Sequence, residues 1–190
     1  NQMTVSFWFK RDEGAPEECS MIGQQRQGRS TYRWLVDQTN SGALRMSMFG
    51  EGGNPAIYGP ELIPELWYFV TATNDGIAMR LYVDGNQVAS GDAIELEESA
   101  TPIQWGRWPG GTENCQGLYL DEISLYSRAM TSEEVGLLHS QGVTMNEPTL
   151  VGYWRNQDST DGVISDETGN GRAELVNDAR IVFGQCPMTP

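Results

Sequence analysis

One lysine, Lys10, and one histidine, His139, are all that a chain of 190 residues holds of those two types. With a single histidine, placed on a short helical pattern, Ser-His-Asp and multi-histidine metal chemistry have little support. Basic residues number 12 against 26 acidic ones, a net charge of −14. A surface of that sign repels phosphate backbones and anionic membranes, which excludes nucleic-acid binding as an expectation. Cations, neutral sugars and basic partners remain. Nothing in the pattern explains why eleven of the cations are arginine. No apolar run approaches the ~20 residues that a bilayer span needs. No signal-peptide pattern opens the chain, which starts on a strand pattern, although a secreted protein can have lost one. Cysteine is sparse: Cys19, Cys115 and Cys186 fit neither a zinc spacing nor a Cys-x-x-Cys motif. An odd count leaves at least one thiol free or paired with another chain.

Turn formers are plentiful, with 22 Gly and 9 Pro. Period-two alternation dominates the rest. Thr4–Lys10, Tyr32–Asp37, Leu44–Phe49, Trp67–Thr73, Ile77–Val83, Gln87–Ser90, Ile103–Arg107, Gly117–Ser127 and Leu150–Arg155 read as strands, with shorter ones at Ala173–Val176 and Ile181–Phe183. Asp84-Gly85 between two such runs is a hairpin signal, because a type I′ turn needs positive φ at both central residues. One helix is convincing. Thr131 stands three residues before Glu134, a capping box; Val135 and Leu138 form a short apolar stripe, and Gly142 can end it. It is short enough to clip the edge of a sandwich. A polar loop is expected from Asn156 to Arg172. Length and pattern together predict one all-β domain over 1–190, a two-sheet antiparallel β-sandwich with one short helix.

Four segments resemble the laminin G-like jelly rolls of the concanavalin A-like superfamily. They are Thr4–Lys10; the hairpin from Trp67 to Leu81-Tyr82-Val83-Asp84-Gly85-Asn86; Gly117-Leu118-Tyr119-Leu120-Asp121-Glu122-Ile123-Ser124-Leu125-Tyr126 with Ser127-Arg128-Ala129-Met130-Thr131 and Glu133-Glu134-Val135; and Leu150-Val151-Gly152-Tyr153-Trp154 with Asp166–Gly171. The fourth resembles the piece that usually opens such a domain, yet here it comes last. Residues 150–190 are therefore expected to close the sandwich in permuted order, unless the chain is cut from a longer one or a second copy begins there.

The resemblance implies a structural Ca²⁺ on Asp121, with Asp166, Gly169 and Gly171 completing it from the neighbouring loop. Such a loop can expose carbonyls to a cation that wants 6–8 oxygens. An EF-hand reading of Asn156–Glu167 fails, since Asp161 occupies the position that requires Gly. Pentraxins, related sandwiches, hold a calcium pair in the loop equivalent to Arg107–Asn114, which here carries a single acid, Glu113. Retaining glycosidases of the superfamily alternate three acids along one strand. The strand candidates here are Asp121-Glu122, on opposite faces, and Glu95-Leu96-Glu97, without a third acid, which reads better as a solvated edge that resists strand addition. Catalysis is therefore not expected. The best surface aromatics are Trp108, between Arg107 and Pro109-Gly110-Gly111, and Tyr58 in a Gly/Pro-rich loop.

In the topology that the resemblance implies, the first strand pairs with Gly117–Ser127. That brings Cys19 and Cys115 to one edge and makes them the first choice of disulfide, with Cys186 left over. The expected protein is secreted or on the cell surface and recognises a glycan through Trp108, Arg107 and Tyr58. The alternative is an adhesin or filament subunit whose partner is an extracellular protein or a further copy of itself.

Overall fold

The computed structural model describes residues 2–111, 114–157, 159–177, 179–182 and 186. The strands are β1 Met3–Arg11, β2 Cys19–Gln25, β3 Tyr32–Gln38, β4 Ala43–Met48, β5 Ala56–Glu61, β6 Tyr68–Asn74, β7 Ala78–Val83, β8 Asn86–Asp92, β9 Ile103–Trp105, β10 Leu118–Tyr126, β11 Leu150–Trp154, β12 Val163–Ser165 and β13 Arg172–Glu174. One helix, α1 Ser132–Gln141, lies between β10 and β11. A six-stranded antiparallel sheet runs β11-β10-β1-β6-β7-β8, and a five-stranded sheet runs β5-β4-β3-β2-β9. The hairpin β12-β13 stands apart, but its Ile164 and Ala173 enter the main core.

Alternation along β1 decides the packing. Val5, Phe7 and Phe9 point between the sheets and are sealed from solvent. They meet Trp34 and Val36 of β3, Met46 and Met48 of β4, and Met79 and Leu81 of β7. The opposite set, Thr4, Ser6 and Trp8, is buried too. A second apolar cluster covers it: Trp8, Phe69, Tyr82 and Tyr126 under Val135 and Leu138 of α1. The helix thus lies across the outer face of the six-stranded sheet and does not clip an edge. The edge expectation overlooked the large aromatics that alternation sends to that outer face.

The local signals act as expected at the turns. Asp84 and Gly85 both have positive φ, 50° and 78°, and join β7 to β8. Asp84 also accepts the Phe69 N–H at 2.9 Å, which locks the turn to β6. At the helix, Thr131 N–H donates to Glu134 Oε2 at 2.8 Å, and Glu134 N–H returns to Thr131 Oγ1 at 3.3 Å. Arg128 donates to the same Glu134 carboxylate at 2.7 Å. These donors hold the Glu134 carboxyl well below its usual range, at about 2, with the Arg128 hydrogen bond the largest cause.

Several segments depart from the sequence reading. β2 and β5 were not anticipated. Cys19–Gln25 hides its alternation behind two register shifts, and β5 is an edge strand that tolerates Gly59 and Pro60. The stretch Asn156–Arg172 contains β12, where a loop was expected. Glu95–Glu98 forms no strand: Leu96 is buried and Ile94 packs on the core, so this irregular segment covers the sandwich. Ile181 and Val182 are not in a strand, and Phe183 lies outside the described residues.

Thr131→Ala removes one half of the capping box. Urea unfolding is expected to register a loss of about 1 kcal/mol, with the β-sheet circular dichroism unchanged.

Candidate functional site

The outer face of the five-stranded sheet carries Tyr58 and Trp108. Its centre is a charge pair. The β3–β4 hairpin sets Asp37 opposite Arg45, and the β4–β5 pairing sets Arg45 opposite Tyr58. Arg45 grips the Asp37 carboxylate with both arms: Nε donates to Oδ1 at 2.9 Å and Nη2 donates to Oδ2. The Asp37 side chain is wholly buried. That burial pushes its carboxyl above the ordinary value against the pull of Arg45. The arginine is held above its own usual value, chiefly by the hydrogen bond to Asp37, with Tyr58 a lesser contributor. Tyr58, opposite Arg45 in the register of β4 and β5, is 59% exposed.

At the other end of β3, Tyr32 meets Trp108 edge to face, with centroids 5.6 Å apart at 82°. Phe49 sits against the same tyrosine at 6.1 Å. Arg26 lies 5.4 Å over Phe49 and bonds Glu97 at 2.6 Å. Trp108 is half-buried, on a loop that lies down on the sheet. Gly23 makes that approach feasible: a Cβ there would lie 2.7 Å from Pro109 Cγ and 2.8 Å from the Trp34 carbonyl. Gly110 N–H donates to Gln104 Oε1 at 3.1 Å. Arg107 Nη2 donates to the Gly111 carbonyl, so this guanidinium braces its own loop. Cys19 and Cys115 are bonded, with Cα atoms 5.5 Å apart, and the bond ties the end of the loop to β2. Glu113 and Thr112 lie outside the described residues.

The structure thus places Trp108 and Tyr58 on one sheet face, linked through Tyr32 and Arg45. Tyr32, Arg45 and Asp37 were missed as site residues. The signal was present: the short Thr39-Asn40-Ser41-Gly42 turn forces Asp37 opposite Arg45 once both flanking runs are read as strands.

The residues expected to hold calcium are occupied otherwise. Asp166 Oδ1 accepts the Tyr153 N–H at 2.8 Å and the Thr168 N–H at 2.9 Å, while Oδ2 accepts the Thr168 hydroxyl at 2.8 Å. Gly169 donates to the Asp166 carbonyl at 2.9 Å, closing a tight turn, and Gly171 packs beside the carboxylate. Asp121 lies on the outer face of β10, and its Oδ1 accepts the Glu122 N–H at 2.8 Å. Among the described residues, no group of three His, Cys, Asp or Glu side chains is placed to hold a metal. Both oxygens of the Asp166 carboxylate thus accept hydrogen bonds from its own turn and from β11, and Asp121 bonds to its chain neighbour.

Glu122 is the extra residue of a bulge, with φ 49°. The bulge lets Leu120 and Ile123 both face the core. Glu122 accepts the Tyr153 hydroxyl, and Arg155 stands 3.6 Å away. Burial raises the neighbouring Asp121 carboxyl from 3.8 to about 6. The Cys186 thiol beside it is pushed up by burial and then by Asp121. The folded state therefore binds the Asp121 proton more tightly than the unfolded chain does. Its contribution is favourable at low pH and is lost as pH rises through about 6.

Asp121→Asn is expected to gain stability over the parent, with the gain growing from about pH 4 to about pH 7 in urea titrations. A gain independent of pH would contradict the raised carboxyl. EDTA dialysis is expected to leave the thermal midpoint unchanged, since Asp166 already has its donors; a fall restored by Ca²⁺ would contradict that reading.

Comparisons with known proteins agree with the geometry. A family model described as the concanavalin A-like lectin/glucanases superfamily matches residues 1–136. A candidate carbohydrate-binding protein from Bacteroides ovatus superposes with a TM-score of 0.69 at 20% identity, covering 96% of this chain and 56% of its own. The receptor-binding domain of a botulinum neurotoxin C/D mosaic gives 0.57 at 19% identity, over 73% of this chain and 35% of the other. A heptameric SAP-like pentraxin from Limulus polyphemus gives 0.56 at 17% identity, over 78% and 72%. This chain thus spans about half the length of the Bacteroides protein. A search of curated proteins finds no match. With the model covering well over half of the sequence and two antiparallel sheets built as a sandwich, the chain belongs to the laminin G-like family of the concanavalin A-like lectin/glucanases superfamily.

Proposed function

We propose that this domain is a glycan-recognition module, acting by contact without bond cleavage, on a protein exposed outside the cell. One observation carries the reading: two surface aromatics, Trp108 and Tyr58, stand on one sheet face around an arginine that Asp37 holds rigid. Sugars present C–H faces to aromatic rings and hydroxyls to planar polar groups, and this face offers both. Rigidity matters because a ledge that is already ordered loses little entropy on binding. The bonded Cys19 and Cys115 support an oxidising compartment. The likeness to a candidate carbohydrate-binding protein supports the ligand class. Among the described residues no helix is long and apolar enough to cross a membrane.

Trp108→Ala is expected to weaken binding to the best ligand of a glycan array by about tenfold. Its thermal midpoint should stay near the parent's, because the ring is only half-buried. Tyr58→Ala should weaken binding to a lesser degree. Undiminished binding by both variants would refute the assignment of this face.

A further inference from the structure

We infer a second ligand site, selective for a carboxylate-bearing sugar of the uronic acid class, in the cavity at the end of the sandwich where β1 stops. The cavity holds about 300 Å³ and is lined by Arg11, Ala15, Glu17, Ser41, Glu61 and Ile63 among others. That volume is at the lower limit of small-ligand clefts. Arg11 continues the inward phase of Val5, Phe7 and Phe9, so its guanidinium lies between the sheets, only 6% exposed. Among the described residues it makes one hydrogen bond, from Nη1 to the Ala15 carbonyl at 2.8 Å. The Nε has no partner, and Arg11 makes no ion pair among the described residues. A buried guanidinium without a carboxylate is costly, and its planar fork matches a carboxylate with two parallel bonds.

The walls are fixed before any ligand arrives. Glu65 N–H donates to the Arg11 carbonyl at 2.8 Å, Leu62 N–H to Gly42 at 3.0 Å, and Ile63 N–H to the Tyr68 hydroxyl at 3.0 Å. Glu17 and Glu61 are exposed at the rim. Their charges oppose any anion, but a doubly charged phosphate or sulfate more than a singly charged carboxylate, and they accept hydrogen bonds from hydroxyls. Ile63, 63% exposed, offers an apolar surface to the C–H side of a ring. One negative charge, several hydroxyls and one apolar face describe a sugar acid. This site is separate from the Trp108 ledge. Tyr32 opens β3 beside Trp108, and the cavity lies past the other end of that strand, about 20 Å away.

Titration calorimetry of the full chain with galacturonate and glucuronate, against galactose and glucose, tests the proposal, and polygalacturonate distinguishes a polymer unit from the free acid. The uronates should bind and the neutral sugars should not. Arg11→Met keeps the volume and removes the charge, and should weaken binding about tenfold or more. Should that variant fail to fold, Ser41→Trp blocks the mouth from an exposed position and should have the same effect, while Trp108→Ala should leave uronate binding unchanged. No uronate binding by the parent, equal binding of neutral sugars, or binding that survives both Arg11→Met and Ser41→Trp would overturn the proposal. Loss with Trp108→Ala alone would also overturn it, and would move the uronate to the ledge.

Discussion

The fold depends on β1 being enclosed on every side. Its two edges are hydrogen-bonded, to β10 and to β6. Both of its faces are buried, one against the five-stranded sheet and one against the helix layer. A strand in that position has no solvated side on which to place a charge, and Thr4–Phe9 has none. Its polar residues must find partners indoors. The Ser6 hydroxyl meets the Ser124 hydroxyl at 2.7 Å, and Thr4 Oγ1 donates to the Arg128 carbonyl at 2.8 Å and accepts the Met130 N–H at 2.9 Å. Those last bonds tie the start of the chain to the turn that precedes α1. Charges appear only in the last two residues of β1, Lys10 and Arg11, and the second of these is itself buried.

This arrangement explains what was legible in the sequence. Strands flanked by clear turn chemistry, such as β6, β7 and β8 around Asp84-Gly85, were readable because turn and strand demands coincide there. The pairing of β1 with β10 followed from the resemblance. The two buried faces of β1 were not readable, since alternation of Phe7, Trp8 and Phe9 does not say that both sets are covered. The same ambiguity misplaced α1. β2 was missed because its bulges break the period on which such a reading relies. At the site, Trp108 and Tyr58 were visible as aromatics in turn-rich segments. Tyr32, Arg45 and Asp37 were not, because what makes them a site is the register of three strands.

Charge is distributed to match these roles. The excess of acids lies mostly on loops and rims, while several arginines are drawn inward to hold structure. Arg128 bridges Glu134 and Glu147, Arg45 grips Asp37, and Arg80 bonds Asp75 at 2.8 Å. Arginine suits such places because its fork bonds a carboxylate twice and stays charged when buried. Arg11 departs from this pattern: it is the most deeply buried of the described arginines that make no ion pair.

The bond between Cys19 and Cys115 spans 96 residues and encloses most of both sheets. A chain joined at those points behaves as a closed ring with two tails. Proteolysis at an exposed tip inside the ring, such as Glu51–Asn54 between β4 and β5, would cut the backbone without parting the pieces. The nicked molecule would keep its strands in register and run as two fragments only after reduction. One covalent tie between β2 and the loop before β10 thus makes backbone scission survivable across half of the molecule.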